Sequence, residues 1–175
     1  MKRFFIIAIA ATFISVNSFS QSSNIQKTAK SVFLLTTFKA DGTVLATSHG
    51  VFVSNDGEAI GPWKPFEGAD SAIVITTSGK SMNVDVIVGA NSIYGVCKLK
   101  VNEKTAAAPI SSTKLSVNAK PWLTEYSLKK PNIRQTTIKG AESFMDKYSY
   151  YILSTDASDE TGGCPLINDR GERVE

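Results

Sequence analysis

The chain has 175 residues, 42% apolar and 20% charged, with a formal net charge of +3; that length suits one domain or a compact pair of subdomains. Without residues 1–20, which hold Lys2, Arg3 and no acidic group, seventeen basic residues face sixteen acidic ones, with no basic stripe for nucleic acid. One histidine and two widely spaced cysteines make no metal-ligand cluster, and no glycine-rich loop opening a helix offers a phosphate cradle, so no cofactor is expected.

In chain order, Lys2 and Arg3 precede an apolar run, Phe4 to Val16, and the small residues Ser18 and Ser20 stand at −3 and −1 of a cleavage site before Gln21. That order is an export signal over residues 1–20, which places the protein in the periplasm or outside the cell. The run is too short to span a bilayer, so no stable membrane span is expected once it is removed. It contains no cysteine for a lipid anchor. Cys97 and Cys164 both lie in the exported part, where a disulfide is chemically permitted. Sequence alone cannot place them close enough to bond, and two buried thiols are the favoured reading over a disulfide.

Ser23 to Lys30 reads as a short capped helix. Ser31 to Phe38 is β-branched and aromatic, a strand. Asp41-Gly42 marks a tight turn. Val44 to Thr47 is a second strand, leading through Ser48-His49-Gly50 into Val51 to Ser54. Asn55-Asp56-Gly57 turns again into Glu58 to Gly61, and a loop covers Pro62 to Asp70. Strands follow at Ser71 to Thr76, Val84 to Gly89 and Gly95 to Val101, with a turn at Ser78-Gly79-Lys80. Residues Asn102 to Asn118 are weakly patterned. Strand signals return at Pro121 to Tyr126, Arg134 to Ile138 and Lys147 to Leu153. Short strands about eight to twelve residues apart, with turn chemistry between them, indicate an all-β sandwich or barrel.

Three stretches in order resemble the HtrA-type branch of the trypsin-like serine proteases. Gly50-Val51-Phe52-Val53-Ser54-Asn55-Asp56-Gly57 runs on to Phe66-Glu67-Gly68-Ala69-Asp70, similar to the segment that carries the catalytic histidine. Gly95-Val96-Cys97-Lys98-Leu99-Lys100 is similar to the segment that carries the triad aspartate. Gly162-Gly163-Cys164-Pro165-Leu166-Ile167-Asn168, with Gly171-Glu172, is similar to the turn that carries the serine.

The resemblance implies a trypsin-like double β-barrel: residues 21–101 as the N-terminal barrel, 102–120 as linker and 121–175 as the C-terminal barrel. It also implies strands beyond Glu175, so the second barrel is expected to be incomplete and the sequence a fragment or truncated product. An incomplete barrel would leave a strand edge to be covered.

That family's chemistry needs a serine hydroxyl, an imidazole base and a carboxylate that orients the imidazole. The matching positions here are Lys64, Gly95 and Gly162, which supply none of the three. The only histidine, His49, precedes the Gly50 strand and reads as a surface or turn residue outside the catalytic loop. Asp159-Glu160 reads as a solvated loop. The turn Glu160-Thr161-Gly162-Gly163-Cys164 could keep backbone N–H groups able to bind a carbonyl or carboxylate.

The reading is therefore a serine-protease-fold protein without catalysis, binding a peptide or protein partner by adding a strand to a sheet edge. One alternative is an endopeptidase with a non-standard nucleophile, Cys164 or a serine, with Lys64 as base. The other is a structural module of a larger envelope protein.

Overall fold

Val32-Phe33-Leu34-Leu35-Thr36-Thr37-Phe38 is apolar or β-branched throughout, and it forms strand β1 (Val32–Phe38), buried along most of its length. The Asp41-Gly42 turn, closed by Lys39 N–H to the Thr43 carbonyl (2.9 Å), returns the chain into β2 (Val44–Phe52). The computed structural model describes residues 23–144, 148–155 and 162–174. The segment expected to be an export signal, and Asp159, Glu160 and Thr161, lie outside these residues.

β2 is one continuous strand where the sequence suggested an interruption at Ser48-His49-Gly50. Gly50 sits opposite Phe33, and a Cβ on Gly50 would come within 2.4 Å of the Phe33 ring. The glycine that looked like a break gives the aromatic ring its space.

β3 (Glu58–Pro62), β4 (Ser71–Thr76), β5 (Ser81–Asn83), β6 (Val86–Asn91) and β7 (Val96–Lys100) complete a seven-stranded sheet in the order β5-β4-β1-β2-β3-β7-β6. Every pairing in it is antiparallel. The sheet curls so that Val84 N–H, extending the β4–β5 pairing, donates to the Ala72 carbonyl (2.9 Å) while the next residue, Asp85, donates its N–H to the Lys100 carbonyl of β7 (2.8 Å). Inside lie Phe33, Leu35, Phe52, Ala59, Val74, Met82, Leu99 and Val101, with Phe66 and Ile87 packed against them. The Phe33 and Phe52 rings meet at 4.6 Å, tilted by 48°, a favourable aromatic geometry.

The loop from Pro62 contains a single 3-10 turn, Lys64–Phe66. β5, after the Ser78-Gly79-Lys80 turn, went unnoticed in the sequence because three residues show no period.

Between Val101 and Trp122 the chain is irregular apart from a bridge at Ile110 to Arg173. Three strands, β8 (Trp122–Glu125), β9 (Asn132–Gln135) and β12 (Leu166–Ile167), form a second sheet ordered β12-β8-β9. Among the described residues β10 (Ile138–Phe144) pairs with β11 (Tyr148–Leu153) alone. The strand expected from Arg134 to Ile138 straddles a bend at Thr136-Thr137, whose hydroxyl-rich surroundings include Ser154 and Thr155. The all-β expectation holds. Among the described residues no helix is long and apolar enough to cross a membrane.

The first described helix meets the last described turn. Helix α1 (Ser23–Ala29) buries Ile25, Thr28 and Ala29, and the Thr28 hydroxyl donates to the Gly171 carbonyl at 2.5 Å. Thr28→Val keeps the shape and removes the donor, leaving a buried carbonyl unmatched. A loss of about 1–2 kcal/mol in urea denaturation is expected, against no change if the helix were merely adjacent.

Candidate active site cleft

A cleft of about 680 Å³ separates the curled sheet from the second set of strands, bounded among others by Pro62, Tyr94, Gly95, Gly163, Cys164 and Val174. Its position follows from three backbone contacts between segments far apart in sequence. Trp63 N–H, at the end of β3, donates to the Gly95 carbonyl at 2.8 Å. The Gly162 carbonyl accepts from His49 N–H at 3.0 Å and from the Ser48 hydroxyl at 2.9 Å. Thr124 N–H donates to the Pro165 carbonyl at 3.2 Å, tying the Gly162 turn to β8.

Gly163 is the residue that lets this turn close. Its φ is +81°, and a Cβ there would fall 2.0 Å from the His49 carbonyl oxygen and 2.8 Å from Pro62 Cδ. Only glycine combines that backbone with that approach.

Of the positions singled out from the sequence, Gly95, Gly163 and Cys164 line the cleft. Gly162 is held at its edge by β2. Lys64 follows Trp63 on the 3-10 turn, with its side chain exposed, and is not among the residues lining the cleft. A Cβ on Gly95 would meet nothing within 4 Å, so that position faces open space.

His49 differs from the sequence expectation of a surface or turn residue. It lies inside β2, half-buried, opposite Leu34, with its ring 6.4 Å from that of Tyr126. Its backbone N–H and carbonyl meet the turn at Gly162 and Gly163.

The two cysteines are free thiols, which resolves the alternatives left open by the sequence. The buried Cys97 Sγ donates to the Pro62 carbonyl at 3.6 Å, and burial pushes its pKa up to about 11. Burial pushes Cys164 up to about 12, helped by the Glu125 carboxylate and opposed by the Arg134 guanidinium. Both thiols are neutral at ordinary pH, and a neutral thiol is a poor nucleophile.

Alkylation of folded protein by iodoacetamide at pH 8 is therefore expected to run at least about ten-fold slower than that of unfolded protein. A raised thiol pKa stabilises the fold fully below the unfolded value near 9 and is lost as pH climbs toward 11 and 12. Urea denaturation at pH 8 and pH 10 should show that loss, and the double variant Cys97→Ala/Cys164→Ala should flatten it.

Sequence reasoning missed the polar group beside Cys164. Glu125 on β8 and Arg134 on β9 pair at 2.7 Å, and Asn132 Nδ2 donates to the same carboxylate at 2.7 Å. The signal was present as opposite charges on two candidate strands, but only the register Leu123↔Arg134 and Glu125↔Asn132 brings them together. It also missed Ser48, whose hydroxyl helps hold the Gly162 turn.

Against solved structures the chain is similar to the serine endoprotease of Yersinia pestis, with a TM-score of 0.72 at 16% identity over 86% of this chain and 54% of that one. It is similar as well to AlgW, an HtrA-type protease solved with a tripeptide, with a TM-score of 0.74 at 16% identity over 88% of this chain and 52% of that one. The protein has the trypsin-like β-barrel fold. At such low identity the likeness extends to the fold alone, and the chain spans about half the length of these trypsin-like structures. No family model matches the chain, and no curated protein does.

Within the trypsin-like fold, the cleft lies between the curled barrel and the second set of strands. The segments that resemble the family's three catalytic stretches meet beside it.

Proposed function

We propose that this is an exported, catalytically inactive protein of trypsin-like protease fold that binds an extended peptide or protein segment in the cleft. One observation carries the reading. The segments that resemble the triad-bearing stretches are joined by Trp63 N–H to the Gly95 carbonyl and His49 N–H to the Gly162 carbonyl, and the positions in them that match the triad by sequence read Lys64, Gly95 and Gly162. No hydroxyl, imidazole or carboxylate stands at those positions, so none of the three roles of the triad is filled.

The endopeptidase alternative is disfavoured by the chemistry of Cys164. Its neighbour Glu125 raises the thiol further, and Lys64 is exposed on the 3-10 turn outside the residues that line the cleft. Binding has better support. Val51, Ile60, Pro62, Tyr94, Val96 and Leu166 give the cleft an apolar lining, and the volume of about 680 Å³ falls within the range of about 300–1,000 Å³ typical of ligand sites.

The test is fluorescence polarisation of labelled, unfolded casein fragments against the purified protein. Saturable binding that falls when Tyr94 or Val96 is changed to a charged residue supports a peptide-binding cleft. Polarisation that does not saturate favours the structural-module reading instead.

A further inference from the structure

A second groove, outside the cleft, lies on the seam where the seven-stranded sheet curls back on itself. It has a volume of about 240 Å³ and runs between Asp70-Ser71-Ala72 at the start of β4 and Asp85-Val86 at the start of β6. Trp63 and Phe66 bound it, their rings 6.3 Å apart and within 19° of parallel. Its size is below the range of about 300–1,000 Å³ for small-molecule pockets, and suits one side chain.

The charge around the groove is one-sided. It is bounded by two carboxylates, Asp70 on one wall and Asp85 on the other, and by no basic residue. The two lysines of the adjoining strand β7 are committed elsewhere: Lys98 pairs with Glu58 at 2.9 Å, and Lys100 Nζ donates to the Asp56 carbonyl at 2.6 Å. Among the described residues neither Asp70 nor Asp85 forms an ion pair. Lys64, on the same 3-10 turn as Phe66, does not line the groove. β6 is also the end strand of its sheet, and among the described residues no further strand pairs with its outer edge.

We propose that this groove is a docking site for an arginine side chain on an extended segment of a partner polypeptide. A guanidinium is planar, stacks on aromatic faces and donates to carboxylates on two sides. An ammonium offers a point charge without the flat face. The chemistry is independent of the cleft and of whether the protein cleaves anything.

The probe is acetyl-Val-Arg-Val-amide, titrated against the purified protein while the Trp63 indole N–H signal is followed by NMR. Its counterpart carries citrulline, which keeps the shape of arginine without the charge. The arginine peptide is expected to shift the Trp63 signal saturably, with the citrulline peptide at least about ten-fold weaker and added salt weakening the former only. The double variant Asp70→Asn/Asp85→Asn, with an unchanged circular dichroism spectrum, should lose affinity by a similar factor. Equal binding of both peptides, a Trp63 signal that does not move, or a folded double variant within two-fold of the parent would overturn the proposal. The citrulline comparison uses the unaltered protein, so it decides even if the variant fails to fold.

Discussion

Gly163→Ala is expected to unfold the protein or to cost it at least about 3 kcal/mol, from a left-handed backbone forced on alanine plus a clash with no soft partner. The groups in the way are the His49 carbonyl oxygen at 2.0 Å and Pro62 Cδ at 2.8 Å, and both sit on paired strands of the curled sheet. The carbonyl cannot swing aside without disturbing β2. The damage should also be local in character: the Gly162 carbonyl would leave His49 N–H and Ser48 Oγ, and the second sheet would lose one of its anchors on the first. Urea denaturation checks the size. A shift below about 1 kcal/mol would mean that the turn does not close on β2 as described.

Phe33→Ala is the second large effect, at about 4 kcal/mol, the usual range for removing a fully buried aromatic ring. Phe33 has no exposed surface and fills space that only a glycine at position 50 leaves open. Gly50 has Phe33 at 2.4 Å and the Ile60 carbonyl at 2.9 Å from its absent Cβ. The two positions must therefore be coupled. Gly50→Ala alone should destabilise by about 2 kcal/mol through overpacking, and combining it with Phe33→Leu should cost less than the sum of the two single changes. Strict additivity would contradict the contact.

These two glycines also show what the sequence could and could not reveal. The strands of the curled sheet were legible where apolar and β-branched residues run together, as in β1, or alternate, as in β7. Turns were legible where Asp-Gly or Asn-Asp-Gly supplied the chemistry. Gly50 misled because a glycine in a strand looks the same whether it ends pairing or makes room for a ring across the ladder.

The second half of the chain was harder to read. Its strands are short, and the bend at Thr136-Thr137 depends on hydroxyls 17 to 19 residues away. His49 was misjudged for a related reason. Its place beside the Gly162 turn arises from pairing across 113 positions of sequence, which no local pattern reports.

The candidate site was visible as three motif segments in order, while their meeting in space rests on hydrogen bonds of main-chain atoms. The polar group of Glu125, Asn132 and Arg134 near Cys164 needed the strand register. The aromatic and acidic groove at Trp63 needed the curl of the sheet.

The measurement that tests the central claim most directly is hydrolysis of fluorescent casein by the purified, folded protein, alongside Lys64→Ala and Cys164→Ala. With Lys64, Gly95 and Gly162 at the positions that match the triad in sequence, no cleavage above the buffer rate is expected in any of the three samples. Cleavage by the parent that either substitution abolishes would contradict the account and place a working nucleophile or base in this cleft.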